Sequence, residues 1–87
     1  MTGLTVALRQ EKLRNIILDI LYHKDRATAR EIAFDLQVHD VWKSPREIAS
    51  VILQDPRLKK HVDINWQYFG GWQRLTFSLR RDYNAPR

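Results

Sequence analysis

Residues 61–81, His61-Val62-Asp63-Ile64-Asn65-Trp66-Gln67-Tyr68-Phe69-Gly70-Gly71-Trp72-Gln73-Arg74-Leu75-Thr76-Phe77-Ser78-Leu79-Arg80-Arg81, carry the reading that decides the fold. Val62, Ile64, Trp66 and Tyr68 alternate with Asp63, Asn65 and Gln67. Beyond Gly70-Gly71, Leu75, Phe77 and Leu79 alternate with Arg74, Thr76, Ser78 and Arg80. Two period-two runs around a Gly-Gly pair predict a β-hairpin. Val62, Ile64, Trp66, Leu75, Phe77 and Leu79 fall on one face of it. That face needs a cover, because a hairpin alone is marginal in water.

The cover lies upstream, where the period changes from two to that of a helix. Leu13, Ile16, Ile17, Ile20 and Leu21 mark a helix over 9–24, with Arg9, Glu11, Lys12, Arg14, Asn15 and Asp19 mostly on its other side. His23 and Lys24 suit its C-terminal end, where the dipole is negative. Thr28-Ala29-Arg30-Glu31 is a capping box that opens a short helix over 28–37, with Ile32, Ala33 and Leu36 inward and Phe34 off that stripe. Ser44-Pro45-Arg46-Glu47 is a second capping box, strengthened by Pro at the first helical position, and opens a helix over 44–54. Ile48, Val51 and Ile52 face inward there, and Asp55-Pro56 is expected to end it. Between these helices, 38–43 is too apolar for a solvated loop, and Val41 and Trp42 are expected to plug the core. Leu4, Val6 and Leu8 suit either a backward extension of the first helix or a short strand, and Asp82 to Arg87 a loose tail.

The order of these elements resembles the winged helix-turn-helix superfamily. The resemblance rests on Thr28-Ala29-Arg30-Glu31-Ile32-Ala33, Ser44-Pro45-Arg46-Glu47-Ile48-Ala49 and the hairpin Val62 to Leu79. It covers residues 9–81 of a single domain, 1–87. It implies an α+β fold: three helices and a C-terminal two-stranded β-hairpin wing. It also implies DNA binding, with Ser44 to Lys60 as the recognition helix running into the first wing strand. Some members of the superfamily bind RNA or protein instead, so fold transfers more readily than function. This chain departs from the simple pattern in its long connection between the second and third helices, which carries Trp42.

Charge shifts the expected contact toward the hairpin. The chain carries 15 Lys and Arg against 10 Asp and Glu, a net charge of +5, and its pI is near 10.0. Residues 28–56 hold Arg30, Lys43 and Arg46 against Glu31, Asp35, Asp40, Glu47 and Asp55, and are net acidic. Residues 57–87 hold Arg57, Lys59, Lys60, Arg74, Arg80, Arg81 and Arg87 against only Asp63 and Asp82. Phosphate neutralisation supplies much of nucleic-acid affinity. Double-stranded DNA is therefore the expected partner, held by Arg57, Lys59, Lys60, Trp72, Arg74 and Arg80. The front of the third helix, Lys43, Arg46, Ser50 and Gln54, adds base-edge chemistry, Arg suiting guanine and Gln adenine. Aromatic and basic groups interleaved near Trp72 also suit an unpaired base of RNA or single-stranded DNA. A protein partner on Phe34, Trp42, Phe69 and Trp72 is the competing expectation, favoured if Phe34 and Trp42 are exposed.

Other chemistries have little support. There is no Cys, which removes disulfides and Cys-based metal sites and suits a reducing cytoplasm. His23, His39 and His61 have no ligand-like spacing, and no metal or cofactor is expected. Gly70-Gly71 lacks the strand–loop–helix context of a phosphate loop. No nucleophile–base or paired-carboxylate constellation stands out, so no enzyme is expected. No signal peptide or membrane span is read from the chain. Leu4, Val6 and Leu8 have little to pack on within one small domain, and a homodimer through this N-terminal segment would cover them. Light scattering tests this hypothesis, and a strict monomer at high concentration excludes it.

Overall fold

The computed structural model describes residues 2–65 and 75–83, with residues 2–9 as backbone only. Within them the protein is α+β. Helix α1 (Thr2–Lys24) leads to strand β1 (Ala27–Thr28), helix α2 (Ala29–Leu36) and a 3-10 turn (Gln37–His39). Helices α3 (Pro45–Gln54) and α4 (Pro56–Lys59) follow, then strands β2 (Val62–Asn65) and β3 (Thr76–Leu79). The sheet is antiparallel throughout, in the order β1-β3-β2.

Both capping boxes form. Thr28 and Ser44 are extended N-caps whose hydroxyls accept from the Glu31 and Glu47 N–H groups, and each glutamate reaches back to its cap. The strand register also follows the sequence pattern. Val62 pairs with Leu79 and Ile64 with Phe77, so the apolar residues share one face. The core gathers Ile17 and Leu21 from α1, Ile32 and Leu36 from α2, Ile48 and Ile52 from α3, Leu58 from α4, and Leu75 and Phe77 at the sheet. Tyr83 packs on its edge and meets the His61 ring edge-on at 5.1 Å. Burial, and secondarily the Asp19 carboxylate, raise its phenol above the ordinary 10.0.

Four expectations change. The sheet has three strands rather than two, because β1 adds Ala27 and Thr28 opposite Phe77 and Thr76. Among the described residues there are four helices rather than three. Asp55-Pro56 does end α3, but Asp55 then caps α4 by accepting the Arg57 N–H at 2.9 Å, with Pro56 at the first helical position. Helix α1 begins at Thr2, seven residues earlier than the apolar stripe marks, which makes 2–8 helix rather than strand. Trp42 does not plug the core: it is 69% exposed. The reason is local. Asp40 takes a left-handed conformation (φ 59°) that an Asp tolerates, and the Val41 N–H then bonds Leu36 O at 3.0 Å. Val41 packs against the core, while the Trp42 indole N–H donates to Asp40 Oδ1 at 3.3 Å on the outside. The expected strand residues 66–69, the Gly70-Gly71 turn and the tail beyond Tyr83 lie outside the described residues.

Phe77 is fully buried on the central strand, opposite both Ala27 and Ile64. Phe77→Ala is expected to cost about 3–5 kcal/mol in urea unfolding, the range for deleting a buried aromatic. A loss below about 1 kcal/mol would show that β3 is not central to the packing.

Candidate functional site

The exposed face of α3 aligns the residues that the sequence singles out. Arg46, Ser50 and Gln54 recur every four residues, so they form one stripe, and all three are exposed. The inward residues Ile48, Ala49 and Ile52 hold the helix from the other side. At its C-terminal end the stripe opens into a groove of about 570 Å³ between α1 and α3. Ser50, Gln54 and Arg57 form one wall, Gln10 and Arg14 of α1 the other, and Leu13 and Val51 contribute apolar surface.

An ion pair pins the groove. Arg14 Nη1 donates to Asp55 Oδ2 at 3.2 Å, with side chains only 12% and 22% exposed. Asp55 thus does two jobs: one oxygen holds α1 and the other caps α4. Arg14, Gln10 and Asp55 are missing from the sequence-derived site. The partners stand 41 residues apart, and no linear motif announces them.

Helix α4 is one turn anchored by Leu58, which is fully buried. Burying Leu58 turns its neighbours Arg57 and Lys59, and the C-cap Lys60, to the exposed side. Among the described residues these three cations, and Arg46, have no carboxylate within ion-pairing distance. Other candidates are partly neutralised. Lys43 Nζ lies 3.9 Å from Glu47 Oε2, and Arg80 Nε 3.5 Å from Asp63 Oδ1. The Arg80–Asp63 pair is a cross-strand diagonal, since Asp63 stands opposite Ser78. Trp72 and Arg74 lie outside the described residues.

The structure therefore brings Ser50, Gln54 and Arg57 together, continues them to Lys59 and Lys60, and puts Arg46 at the far end of α3. Arg46 and Gln54 are eight residues apart, about 12 Å of helix axis at 1.5 Å per residue. Lys43 belongs to a second groove, between α1 and the 39–43 connection. Among the described residues, no three His, Asp or Glu side chains converge as a metal site would require. Nor, among them, is any helix long and apolar enough to cross a membrane. The arrangement offers amides, a hydroxyl and unpaired cations on an open surface, which suits hydrogen bonding and charge neutralisation. No family model, curated protein or solved structure matches the chain.

The double role of Asp55 makes a ranking. Asp55→Ala removes the cap and strands a part-buried arginine, and is expected to cost about 2 kcal/mol. Arg14→Met keeps the apolar stem and the cap and costs less. Urea unfolding of both variants and the double variant measures this; equal single losses would show that the cap adds nothing.

Proposed function

We propose that the protein is a small winged-helix module that binds double-stranded DNA and acts as a transcriptional regulator. Four helices and an antiparallel sheet are compatible with that architecture. In this reading α2 and α3 are the helix-turn-helix, β2 and β3 lead into the wing, and β1 is the third strand against which the wing pairs. The observation that carries the function is the row of unpaired cations Arg57, Lys59 and Lys60, exposed on α4 and its C-cap beside the start of β2. Phosphates are the natural counter-charge for such a row, and each contact adds salt dependence to binding. The exposed Arg46–Ser50–Gln54 stripe supplies base-edge contacts as a secondary element. The module is a binding protein rather than an enzyme, and a chain with no Cys suits the reducing cytoplasm.

This reading moves the main contact away from the front of α3. Glu47 and Asp63 stand beside Lys43 and Arg80 and would repel a phosphate approaching the same spot, so the contribution of these two cations falls. The exposure of Phe34 and Trp42 supports a second reading, contact with a protein, on a different surface.

The test is a labelled duplex of about 20 base pairs titrated over a range of salt, beside single-stranded DNA and RNA of the same sequence. The triple variant Arg57→Ala, Lys59→Ala, Lys60→Ala is expected to flatten the slope of log affinity against log salt by about 2–3, close to one unit per lost phosphate contact. Arg80→Ala is expected to change it by less than about one unit, since Asp63 already shares that charge. Arg74→Ala should weaken binding at least as much as Arg46→Ala. The reverse order returns α3 to the leading role. A flat salt response in the wild type sinks the proposal, and preference for RNA or a single strand redirects it.

A further inference from the structure

Apolar exposure and positive charge are segregated on this molecule. Among the described residues the exposed large hydrophobic side chains are Tyr22, Phe34, Val38 and Trp42. Three of the four fall within Phe34–Trp42, with Val38 82% exposed and its neighbours 69%. Phe34 and Val38 lie one turn apart where α2 runs into the 3-10 turn, and Trp42 follows the left-handed Asp40. From Trp42 a groove of about 650 Å³ runs to α1, with Leu13, Ile16 and Val41 as its apolar part.

The charge of this stretch is opposite to that of the chain. Residues 31–42 contain Glu31, Asp35 and Asp40 and no Lys or Arg, in a protein of net charge +5. Lys24 reaches in from α1 to Asp35 at 3.1 Å and Glu31 at 3.8 Å, one cation for two carboxylates. The Asp40 carboxylate accepts from the Trp42 indole, and among the described residues no Lys or Arg lies within ion-pairing distance of it. Lys12 and Lys43 also line this groove, Lys43 beside Trp42 and 3.9 Å from Glu47 Oε2.

With Glu31, Asp35 and Asp40 in it, this stretch is not an extension of the cation row. Helix α4 of a second copy fits it poorly: Leu58, the apolar residue of that basic turn, is fully buried. We propose that the Phe34–Val38–Trp42 face docks a basic amphipathic segment of a different protein, apolar residues on the aromatic ridge and Lys or Arg against Asp35 and Asp40. The module then has two faces: the cations of α4 for a polyanion, the α2 ridge for a cationic protein segment. The inference does not depend on DNA binding.

The probe is a fluorescein-labelled, 18-residue helical peptide with leucine on one face and lysine on the other; a leucine–glutamate peptide of the same pattern is the control. Fluorescence anisotropy with the full chain is expected to show binding of the lysine peptide only, although the protein's overall charge repels it. Phe34→Ser and Trp42→Ser should each weaken it at least about tenfold, as loss of a central aromatic anchor does. Asp40→Asn keeps the left-handed turn and the acceptor for the indole but removes the charge, and should weaken it about threefold, a typical exposed charge pair. All three side chains are exposed, so circular dichroism should be unchanged in the variants, and duplex DNA affinity should stay within about twofold. The proposal is overturned by equal binding of the two peptides, by no binding, or by variants that bind like wild type. It is equally overturned if sedimentation shows a wild-type dimer that Phe34→Ser dissociates, which would put a second copy on the ridge, or if the variants lose DNA binding.

Discussion

The backbone of Thr28 is where this fold closes. Helix N-caps require an extended conformation, and an extended residue is also what a sheet can pair. Thr28 meets both needs with φ −83° and ψ 167°: it pairs with Thr76 on β3 while its hydroxyl accepts the Glu31 N–H that begins α2. The helical layer and the sheet therefore share a residue instead of touching only through side chains. The neighbouring pair, Ala27 with Phe77, places a small buried residue against the largest fully buried one. A bulkier residue at Ala27 would compete for the space that Phe77 fills, so cap, ladder and core are tied to the same point.

Much else follows from that closure. With β3 held between β1 and β2, its register places Phe77 inward and leaves Asp63, Ser78 and Arg80 on one polar side. The chain leaving α3 must then turn back to reach β2, and α4 makes that turn in a single helical turn. Leu58 satisfies the core, and the flanking cations are exposed as a consequence. The row of charge on α4 thus comes from a packing requirement on its central leucine. Asp55 sets the angle at which that row leaves α3, since it is bonded at once to α1 and to the first turn of α4.

What the sequence made legible was whatever is written locally. Both capping boxes depend on residues three apart and both form, and the two-residue alternation puts Val62, Ile64, Phe77 and Leu79 on one face; on α3, Ile48 and Ile52 are buried as expected, with Ala49 rather than Val51 beside them. Strand β1 was not legible because two residues cannot show a period. Helix α4 carried a readable signal, Asp followed by Pro, but that pair marks a helix start as well as a helix stop, and here it does both. Trp42 misled because hydrophobicity predicts burial without predicting which of two adjacent residues turns inward; the left-handed Asp40 gave that place to Val41. The groove walls were invisible in sequence because Arg14 and Asp55 meet only in three dimensions.

Ion pairing also changes what net charge means for function. A count of basic residues treats Lys43, Arg57, Lys59, Lys60 and Arg80 alike, yet exposure and partners separate them. The side-chain nitrogens of Lys43 and Arg80 each lie within 4 Å of a carboxylate, whereas those of Arg57, Lys59 and Lys60 make no such ion pair among the described residues. Surface pairs are weak, so Glu47 and Asp63 do not cancel their partners, but they add local repulsion toward a phosphate approaching the same spot. The same reasoning applies in reverse to residues 31–42, where a net basic protein presents carboxylates around exposed aromatic and aliphatic groups. Screening confines these fields to about 8–10 Å at physiological salt, so the charges nearest a spot on the surface set its potential more than the total does. A single average charge of +5 therefore describes neither stretch, since the cations gather on α4 and its C-cap and the carboxylates in residues 31–42.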